Sequence, residues 1–201
     1  NPDLILLVGD LFEVNNGTEN TRYLLEWIGA NYPSYFVTGN HEYYTKEVNT
    51  LKNIVESYQI QVLDGKVDLL EIGDTQLQIG GIDDGKHSSN YPYQLRQLSE
   101  SYDSTLDSYN ILLSHRPEIF NDFKDLPIDL ILSGHAHGGQ VRIPFILNGL
   151  FAPDQGFFPK YAGGEYHLGD RQLVVSRGLI FQNQLPRIFN RPELVTIVLG
   201  E

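Results

Sequence analysis

The sequence predicts an α/β fold with a mixed β-sheet, because short apolar runs alternate along the early part of the chain with segments of helical period. Runs this short and this apolar are typical of strands that are buried on both faces, in a sheet that helices cover. Five such runs are predicted to be strands: residues 4–8, 35–37, 111–113, 130–132 and 194–199. Strands that alternate with helices indicate the α/β class.

Two helices are predicted from apolar residues that recur three to four positions apart with polar residues between them. The first contains Leu24, Leu25 and Ile28, and the second contains residues 51–58. Two hairpins are predicted where apolar alternation breaks at Gly-Asp pairs, at residues 73–74 and 169–170. Hairpins add antiparallel neighbours, so a mixed sheet is favoured over a purely parallel one.

Composition limits the possible functions. The 201 residues and 41% apolar content fit one domain over residues 1–201, and the absence of cysteine excludes disulfides and thiolate metal ligands. A net charge of -12 argues against a broad nucleic-acid-binding surface, which needs a basic stripe. The sequence has no initiator Met and enters a strand almost at once, so we expect a domain that is truncated at its N-terminus.

Polar residues that can bind metals follow four of the predicted strands. Taken alone, a Gly-Asp or Gly-Asn pair after a strand is typical of an ordinary turn or helix cap. The conjunction is what indicates a site, since the carboxyl ends of strands in such sheets meet at one crevice. The residues concerned are Asp10, Asn40, His115, His135 and His137.

These residue types suit a pair of divalent cations. A carboxylate such as that of Asp10 can bridge two cations about 3.5 to 4 Å apart, while Asn40 and the histidines offer neutral oxygen and nitrogen ligands. In extended chain, His135 and His137 lie on one side with Cα atoms roughly 7 Å apart, so they can serve adjacent metals. Mixed nitrogen and oxygen sites favour Mn, Fe or Zn.

The motifs together resemble those of the calcineurin-like metallophosphoesterases. They are Gly9-Asp10-Leu11-Phe12-Glu13, Gly39-Asn40-His41-Glu42, His115 and Gly134-His135-Ala136-His137. Further segments resemble a bacterial branch of phosphohydrolases whose members often carry an N-terminal membrane anchor or export signal. With the strand and helix pattern, we predict a four-layer α-β-β-α sandwich in which two mixed β-sheets are flanked by helices.

The resemblance implies a role for each motif residue. Asp10 would bridge two metals, Asn40, His115 and His135 would complete the second site, and His137 would belong to the first. His41 would protonate the leaving oxygen or stabilise the charge of the transition state, and Glu42 would orient its imidazole. A metal-held hydroxide would attack phosphorus directly.

One family motif is missing from the sequence. The family begins with an Asp-x-His motif that supplies two ligands of the first metal, and no such motif precedes Asp10 here. The sequence therefore predicts that this chain holds one metal, or two with one bound weakly, and has little activity.

Weaker candidates and rival functions remain open. Arg142 and Tyr43 are candidates for substrate binding, whereas Arg116 and Arg177 are expected to form structural ion pairs. Glu13 is expected to start a helix, and the aromatic residues between 151 and 161 are expected to pack rather than to form an exposed apolar rim.

The expected substrate is a small phosphodiester or phosphomonoester. The rivals are a catalytically impaired scaffold that binds metal or protein, and a hydrolase of non-phosphate substrates.

Overall fold

The computed structural model describes residues 1–13, 19–179 and 186–200. Its helices are α1 (Glu19–Asn31), α2 (Asn40–Tyr44), α3 (Val48–Ser57) and α4 (Tyr91–Ser101), with 3₁₀ helices at Pro117–Phe123 and His137–Gly139. Its strands are β1 (Ile5–Val8), β2 (Ser34–Val37), β3 (Gln61–Val62), β4 (Lys66–Ile72), β5 (Thr75–Ile82), β6 (Tyr109–Ser114), β7 (Leu130–Ser133), β8 (Phe151–Ala152), β9 (Gly156–Phe157), β10 (Gly164–Leu168) and β11 (Arg171–Val175).

The strands form two main sheets and one small hairpin. The larger sheet has the order β10-β11-β7-β6-β5-β4, with parallel central strands and an antiparallel pair at each edge, so it is mixed as predicted. The smaller sheet, β1-β2-β3, contains only parallel pairs in the part of the chain that the structure describes. The prediction that both sheets are mixed is therefore wrong for the smaller sheet.

The alternation of side chains along each strand divides the core into three layers of packing. On β6, Ile111 and Leu113 point into the space between the two sheets, whereas Leu112 points to the opposite face. That opposite face packs against α4 and the 3₁₀ helix at Pro117–Phe123, and the outer face of the smaller sheet packs against α1 and α3. The four-layer α-β-β-α sandwich is therefore confirmed.

Four of the five predicted strands form, and both predicted helices and both predicted hairpins are confirmed. The fifth run, residues 194–199, forms no strand, because no described strand pairs with it; Leu194 and Val198 are 84% and 86% exposed. The sequence analysis missed α4, whose tyrosine, glutamine and proline residues give a weak apolar period, and the hairpin β8–β9, whose strands are only two residues long.

The fold brings four strand ends to one edge of the sandwich. Strands β1, β2, β6 and β7 run parallel to their partners within their sheets, and the residues just beyond their carboxyl ends meet between the two sheets. The predicted metal ligands lie one to three positions beyond those ends; they are Asp10, Asn40, His115 and His135.

Candidate metal centre

Three oxygen and nitrogen atoms from three strand ends face each other across a short gap. His115 Nε2 lies 3.2 Å from Asp10 Oδ2 and 3.3 Å from Asn40 Oδ1. The other ring nitrogen, Nδ1, is 2.7 Å from the carbonyl oxygen of Val8, to which it donates its proton. This bond leaves Nε2 facing the two oxygens, the arrangement that orients a metal-binding histidine.

His135 and His137 extend this set of donors. A ring nitrogen of His135 lies with Asp10 and His115 in a group whose ligand atoms are all within 4.8 Å of one another. Nδ1 of His135 and Nδ1 of His137 are buried without any hydrogen-bond partner among the described residues. Both histidines line the same cavity of about 730 Å³ as Asp10, His41 and His115. Buried nitrogens that lack partners, beside a carboxylate and an amide oxygen, fit a divalent transition metal.

The backbone around these residues adopts conformations that few side chains tolerate. Asp10, His135 and His137 have φ angles of 58°, 61° and 49°, in the sparsely populated left-handed region. Strain of this kind is concentrated at functional sites. Gly39 is required by close approach, since a Cβ there would lie 2.1 Å from Asp10 Oδ1.

Glu42 fixes the position of this backbone. Its carboxylate is fully buried and accepts hydrogen bonds from the N–H groups of Asp10, Leu11, Phe12 and Gly39, at 2.7 to 3.0 Å. Burial and the charge of Asp10 raise the pKa of the Glu42 carboxyl, and the N–H donors oppose that shift. The expectation that Glu42 orients the imidazole of His41 is corrected: both of its oxygens are occupied by backbone N–H groups, so it holds together the turns that carry Asp10 and Asn40.

His41 lies at the mouth of the cavity. Its backbone N–H donates to Asp10 Oδ1 at 3.0 Å, and its ring nitrogens lie 3.9 Å from Asp10 Oδ2 and 3.8 Å from Glu13 Oε1. The side chain is 21% exposed, so a ligand in the cavity can reach it. Glu13 was expected to start a helix, and that prediction falls on residues 14–18, which lie outside the described part of the chain. The Glu13 carboxylate lies beside the His41 ring.

The charges of these groups are strongly coupled. Burial alone would raise the pKa of Asp10, but the charges of His115 and His41 hold it below its usual range. Burial opposes protonation of His115, and the Asp10 carboxylate outweighs burial and raises the pKa of His115 to about 9. Burial lowers the pKa of His135 to about 4, as does the charge of His115. Burial also lowers the pKa of His137 to about 4.

Asp154 is a site residue that the sequence analysis missed. It lies in the turn between β8 and β9, where its Oδ2 is 2.9 Å from His135 Nε2. It also forms ion pairs with Lys86 and with Arg116. No strand end or glycine turn marks Asp154, and the only signal was the irregular character of the segment 148–164. A carboxylate on the far nitrogen of a metal-binding histidine commonly fixes its ring and tautomer.

Arg116 forms a structural ion pair, as expected. Its side chain is 1% exposed, and Nε donates to Asp84 at 2.6 Å. Its Nη1 lies 3.0 Å from His135 Nε2 and 3.4 Å from Glu118 Oε1. Arg116 therefore supports the ligand cluster from behind.

The two predicted substrate contacts lie apart from the metal ligands. Arg142 donates to the side-chain oxygen of Asn148, and the Tyr43 ring stacks on His87 with centroids 6.2 Å apart. Neither side chain lines the cavity that the described residues form around Asp10. In the aromatic segment Tyr161 is buried, but Phe157 and Phe158 are 71% and 69% exposed, so the expectation that these phenylalanines pack is wrong.

Comparison with known proteins decides the family. Residues 1–139 match the family model of the calcineurin-like phosphoesterases. The chain belongs to this family. The resemblance seen in the motifs is therefore confirmed. The family is metal-dependent and its members are hydrolases. The ligand cluster lies at the strand ends, where the sequence predicts the metals.

Three relatives illustrate the family's range. The metallophosphoesterase Cj0846 of Campylobacter jejuni is 34% identical over 98% of this chain and 50% of its own length. A transmembrane protein with a metallophosphoesterase domain from Danio rerio is 32% identical over 100% of this chain and 46% of its own length. The phosphodiesterase YaeI of Escherichia coli is 29% identical over 98% of this chain and 70% of its own length. The chain thus spans about half the length of the first two.

A solved structure supports the fold. The 5'-nucleotidase precursor of Thermus thermophilus superposes with a TM-score of 0.55 and 16% identity, over 87% of this chain and 39% of the nucleotidase. At this identity the likeness concerns the fold alone. Within the described ranges, no helix has the length and apolar character needed to cross a membrane.

Proposed function

We propose that this chain hydrolyses a phosphate ester with two divalent cations bound at the ligand cluster. Asp10, Asn40, His115 and His135 would hold one cation, and Asp10 and His137 would hold the other. The observation that carries the proposal is the position of His115 Nε2, which lies 3.2 Å from Asp10 Oδ2 and 3.3 Å from Asn40 Oδ1 while the far nitrogen of His115 is bonded to the backbone.

Bound divalent cations supply Lewis acidity toward a phosphoryl oxygen and lower the pKa of a bound water molecule. The donors favour Mn, Fe or Zn, because imidazole nitrogens suit these ions better than Mg or Ca. Within the described residues, Asp10 and His137 alone are proposed as ligands of the cation that His137 helps to hold. We therefore expect that cation to bind weakly and turnover to be slow.

His41 is proposed as the residue that gives a proton to the leaving oxygen. Its ring lies at the open side of the ligand cluster, with a nitrogen 3.9 Å from Asp10 Oδ2 and the other 3.8 Å from Glu13 Oε1. Both carboxylates therefore lie beside the ring, which lines the cavity. General acid help of this kind contributes roughly 10²- to 10⁴-fold to a rate.

The proposed substrate is a small phosphorylated molecule, with a diester favoured over a monoester because YaeI is named a phosphodiesterase. The name of the Danio rerio relative supports a second proposal, that the whole protein acts at a membrane or is exported. Fractionation of cells that express the full gene tests the location, and recovery only in the soluble cytosolic fraction would contradict it.

A turnover screen tests the reaction class. The chain is incubated with Mn²⁺ and with three chromogenic reporters, a phosphomonoester, a phosphodiester and a carboxylic ester. We expect slow, metal-dependent release from a phosphate reporter and none from the carboxylic ester. Activity on the carboxylic ester alone would refute the proposal, and tight metal binding without any turnover would favour the scaffold function.

Replacement of His41 by alanine tests its role. Because His41 is proposed as a proton donor and not as a metal ligand, we expect turnover to fall roughly 10²- to 10⁴-fold while metal content stays nearly unchanged. His167→Ala is the matched control, since that ring is 71% exposed and contacts Glu165 on the surface. Loss of metal together with undiminished activity in His41→Ala would contradict the assignment.

A further inference from the structure

Three arginines from three segments of the chain lie together beside the metal centre. Arg142 and Arg177 both border Gly163, where a Cβ would lie 3.1 Å from Arg142 Nη1 and 2.8 Å from Arg177 Cγ. Arg187 Nη2 donates to the carbonyl oxygen of Arg177 at 2.7 Å. A β-bridge between Val141 and Ile188 ties the backbones next to Arg142 and Arg187. We call Arg142, Arg177 and Arg187 the arginine cluster.

The cluster is short of negative charge. Glu193 forms an ion pair with Arg177, and it is the one carboxylate bonded to the cluster in the described part of the chain. The undescribed residues 180–185, which lie between Arg177 and Arg187 in sequence, contain no Asp or Glu. Three guanidinium groups therefore face one carboxylate, in a chain whose net charge is -12. Like charges repel, so such a group favours a bound anion.

Two guanidinium nitrogens of the cluster have no acceptor in the part of the chain that the structure describes. Nη1 of Arg142 and Nη1 of Arg187 are both buried, and neither has a hydrogen-bond partner among the described residues. A buried charged donor without an acceptor is costly, so such groups usually have an acceptor in the functional state. Burial lowers the pKa of both guanidiniums, and the charge of Arg177 lowers it further.

The cluster opens onto the metal centre. Arg177, Arg187 and Glu193 line the same cavity of about 730 Å³ as Asp10 and His137. The charge of Arg187 also contributes to the low pKa of His137. A ligand in this cavity can therefore contact the metal ligands at one end and the arginines at the other.

We propose that the arginine cluster binds a second phosphate group of the substrate while the metal centre acts on the first. This rests on the proposed function and narrows it to phosphate esters that carry a further phosphate. Guanidinium groups suit this role because their planar fork of donors matches phosphate oxygens in two parallel bonds. The free Nη1 group of Arg187, a residue that lines this cavity, is the donor that the second phosphate satisfies, and Arg142 adds positive charge from outside the cavity.

A binding experiment without metal tests the cluster by itself. Inorganic pyrophosphate is titrated into EDTA-treated protein at low ionic strength, and the affinity is measured by calorimetry. We expect Arg187→Gln to weaken binding roughly 10- to 100-fold, the usual effect of losing a hydrogen bond to a charged group. Arg142→Gln is a second variant with the same expected direction. Arg96→Gln is the matched control, because it removes one positive charge from α4, away from the cluster.

The outcomes separate this proposal from the proposed function. Equal pyrophosphate affinity in wild type, Arg187→Gln and Arg142→Gln, with folded proteins by circular dichroism, would overturn the cluster as a phosphate site. Because the titration contains no metal and no ester, it can succeed even if no reporter is hydrolysed. With reporters, Arg187→Gln should raise KM roughly tenfold more for an aryl phosphate that carries a second phosphate than for the simple aryl phosphate.

The second phosphate could belong to a soluble molecule or to a lipid headgroup, and vesicles distinguish these sources. Wild type and Arg187→Gln are floated with phosphatidylglycerol vesicles, in the presence and absence of pyrophosphate. Binding that requires Arg187 and is displaced by pyrophosphate indicates a lipid headgroup. Pyrophosphate binding that requires Arg187, without vesicle binding, indicates a soluble substrate.

Discussion

The two sides of the metal centre are held in different ways. On the strand-end side, Asp10, Asn40 and His115 follow β1, β2 and β6. Hydrogen bonds with the backbone hold this side: the Glu42 carboxylate accepts from four backbone N–H groups, and His115 donates to the carbonyl oxygen of Val8. On the loop side, side-chain charge pairs fix His135. The difference indicates that the strand-end side shares the stability of the sheets, whereas the loop side can change without unfolding them.

The loop side is also where the chain leaves regular structure. His135 and His137 have positive φ angles at the start of a 3₁₀ turn, and Asp154, also at positive φ, reaches His135 from a hairpin of two-residue strands. Exposed hairpins with few backbone pairs open at low free energy. The loop side is therefore suited to adjust to a substrate, while the strand-end side keeps a fixed geometry.

The largest expected effect is the loss of metal when Asp10 becomes asparagine. The carboxylate is the one negatively charged group among the predicted ligands at the strand ends, so Asp10→Asn should lower the affinity for Mn²⁺ more than roughly 100-fold. This exceeds the loss expected when a residue that only contacts a ligand is changed. Calorimetric titration of chelator-treated protein measures this. Asp74→Asn, in the exposed turn between β4 and β5, is the control. Wild-type affinity in Asp10→Asn would show that the metal binds elsewhere.

The next effect concerns stability rather than binding. Glu42→Gln keeps the shape of the side chain but turns an NH₂ group toward backbone donors that now lack an acceptor. Each buried donor left without an acceptor costs about 1 to 3 kcal/mol, so we expect the free energy of unfolding to fall by about 2 to 3 kcal/mol. Urea denaturation followed by fluorescence measures the change.

Glu71→Gln is the control for this substitution, because Glu71 is exposed on β4 and contacts Gln76 only on the surface. We expect a change within about 0.5 kcal/mol for this variant. If Glu42→Gln were as stable as Glu71→Gln, the strand-end side would not depend on the Glu42 carboxylate, and the contrast between the two sides would fail.

The same contrast explains how much the sequence could predict. Metal ligands at strand ends carry a local signal, an apolar run followed by Gly and a polar residue, and the sheet order then brings them together. Asp154 carries no such signal, since its position depends on the hairpin β8–β9, whose strands are only two residues long. For residues 194–199 the error is the opposite one, since a strand was predicted and does not form. Their apolar pattern favours a strand, but a strand also needs a neighbouring strand to pair with, which the local sequence does not reveal.

Glu42 and Arg142 show that a motif places a residue more reliably than it assigns its role. Glu42 follows His41 in the sequence, yet the short helix α2 turns its carboxylate toward the backbone and away from the imidazole. Arg142 follows His137 closely, yet it lies with the other arginines, outside the cavity around Asp10. In both cases the direction of the side chain depends on tertiary contacts.

The smallest of the three effects is expected for Asp154→Asn, and it tests the loop side directly. Asparagine keeps the size of the side chain but loses the charge that binds His135, Arg116 and Lys86. Weakening the partner of a metal-binding histidine costs roughly 10-fold in affinity at the low end of the known range. We therefore expect a tenfold loss of Mn²⁺ affinity with little change in stability.

Calorimetry and urea denaturation of the same protein separate these effects, and Asp170→Asn, in the exposed turn between β10 and β11, is the control. A loss of stability as large as that of Glu42→Gln would mean that the β8–β9 hairpin is part of the folding core. Unchanged metal affinity would mean that Arg116 alone orients His135. Tenfold weaker binding at full stability would establish that the loop side tunes the metal centre independently of the sheets, since the strand-end ligands would still be in place.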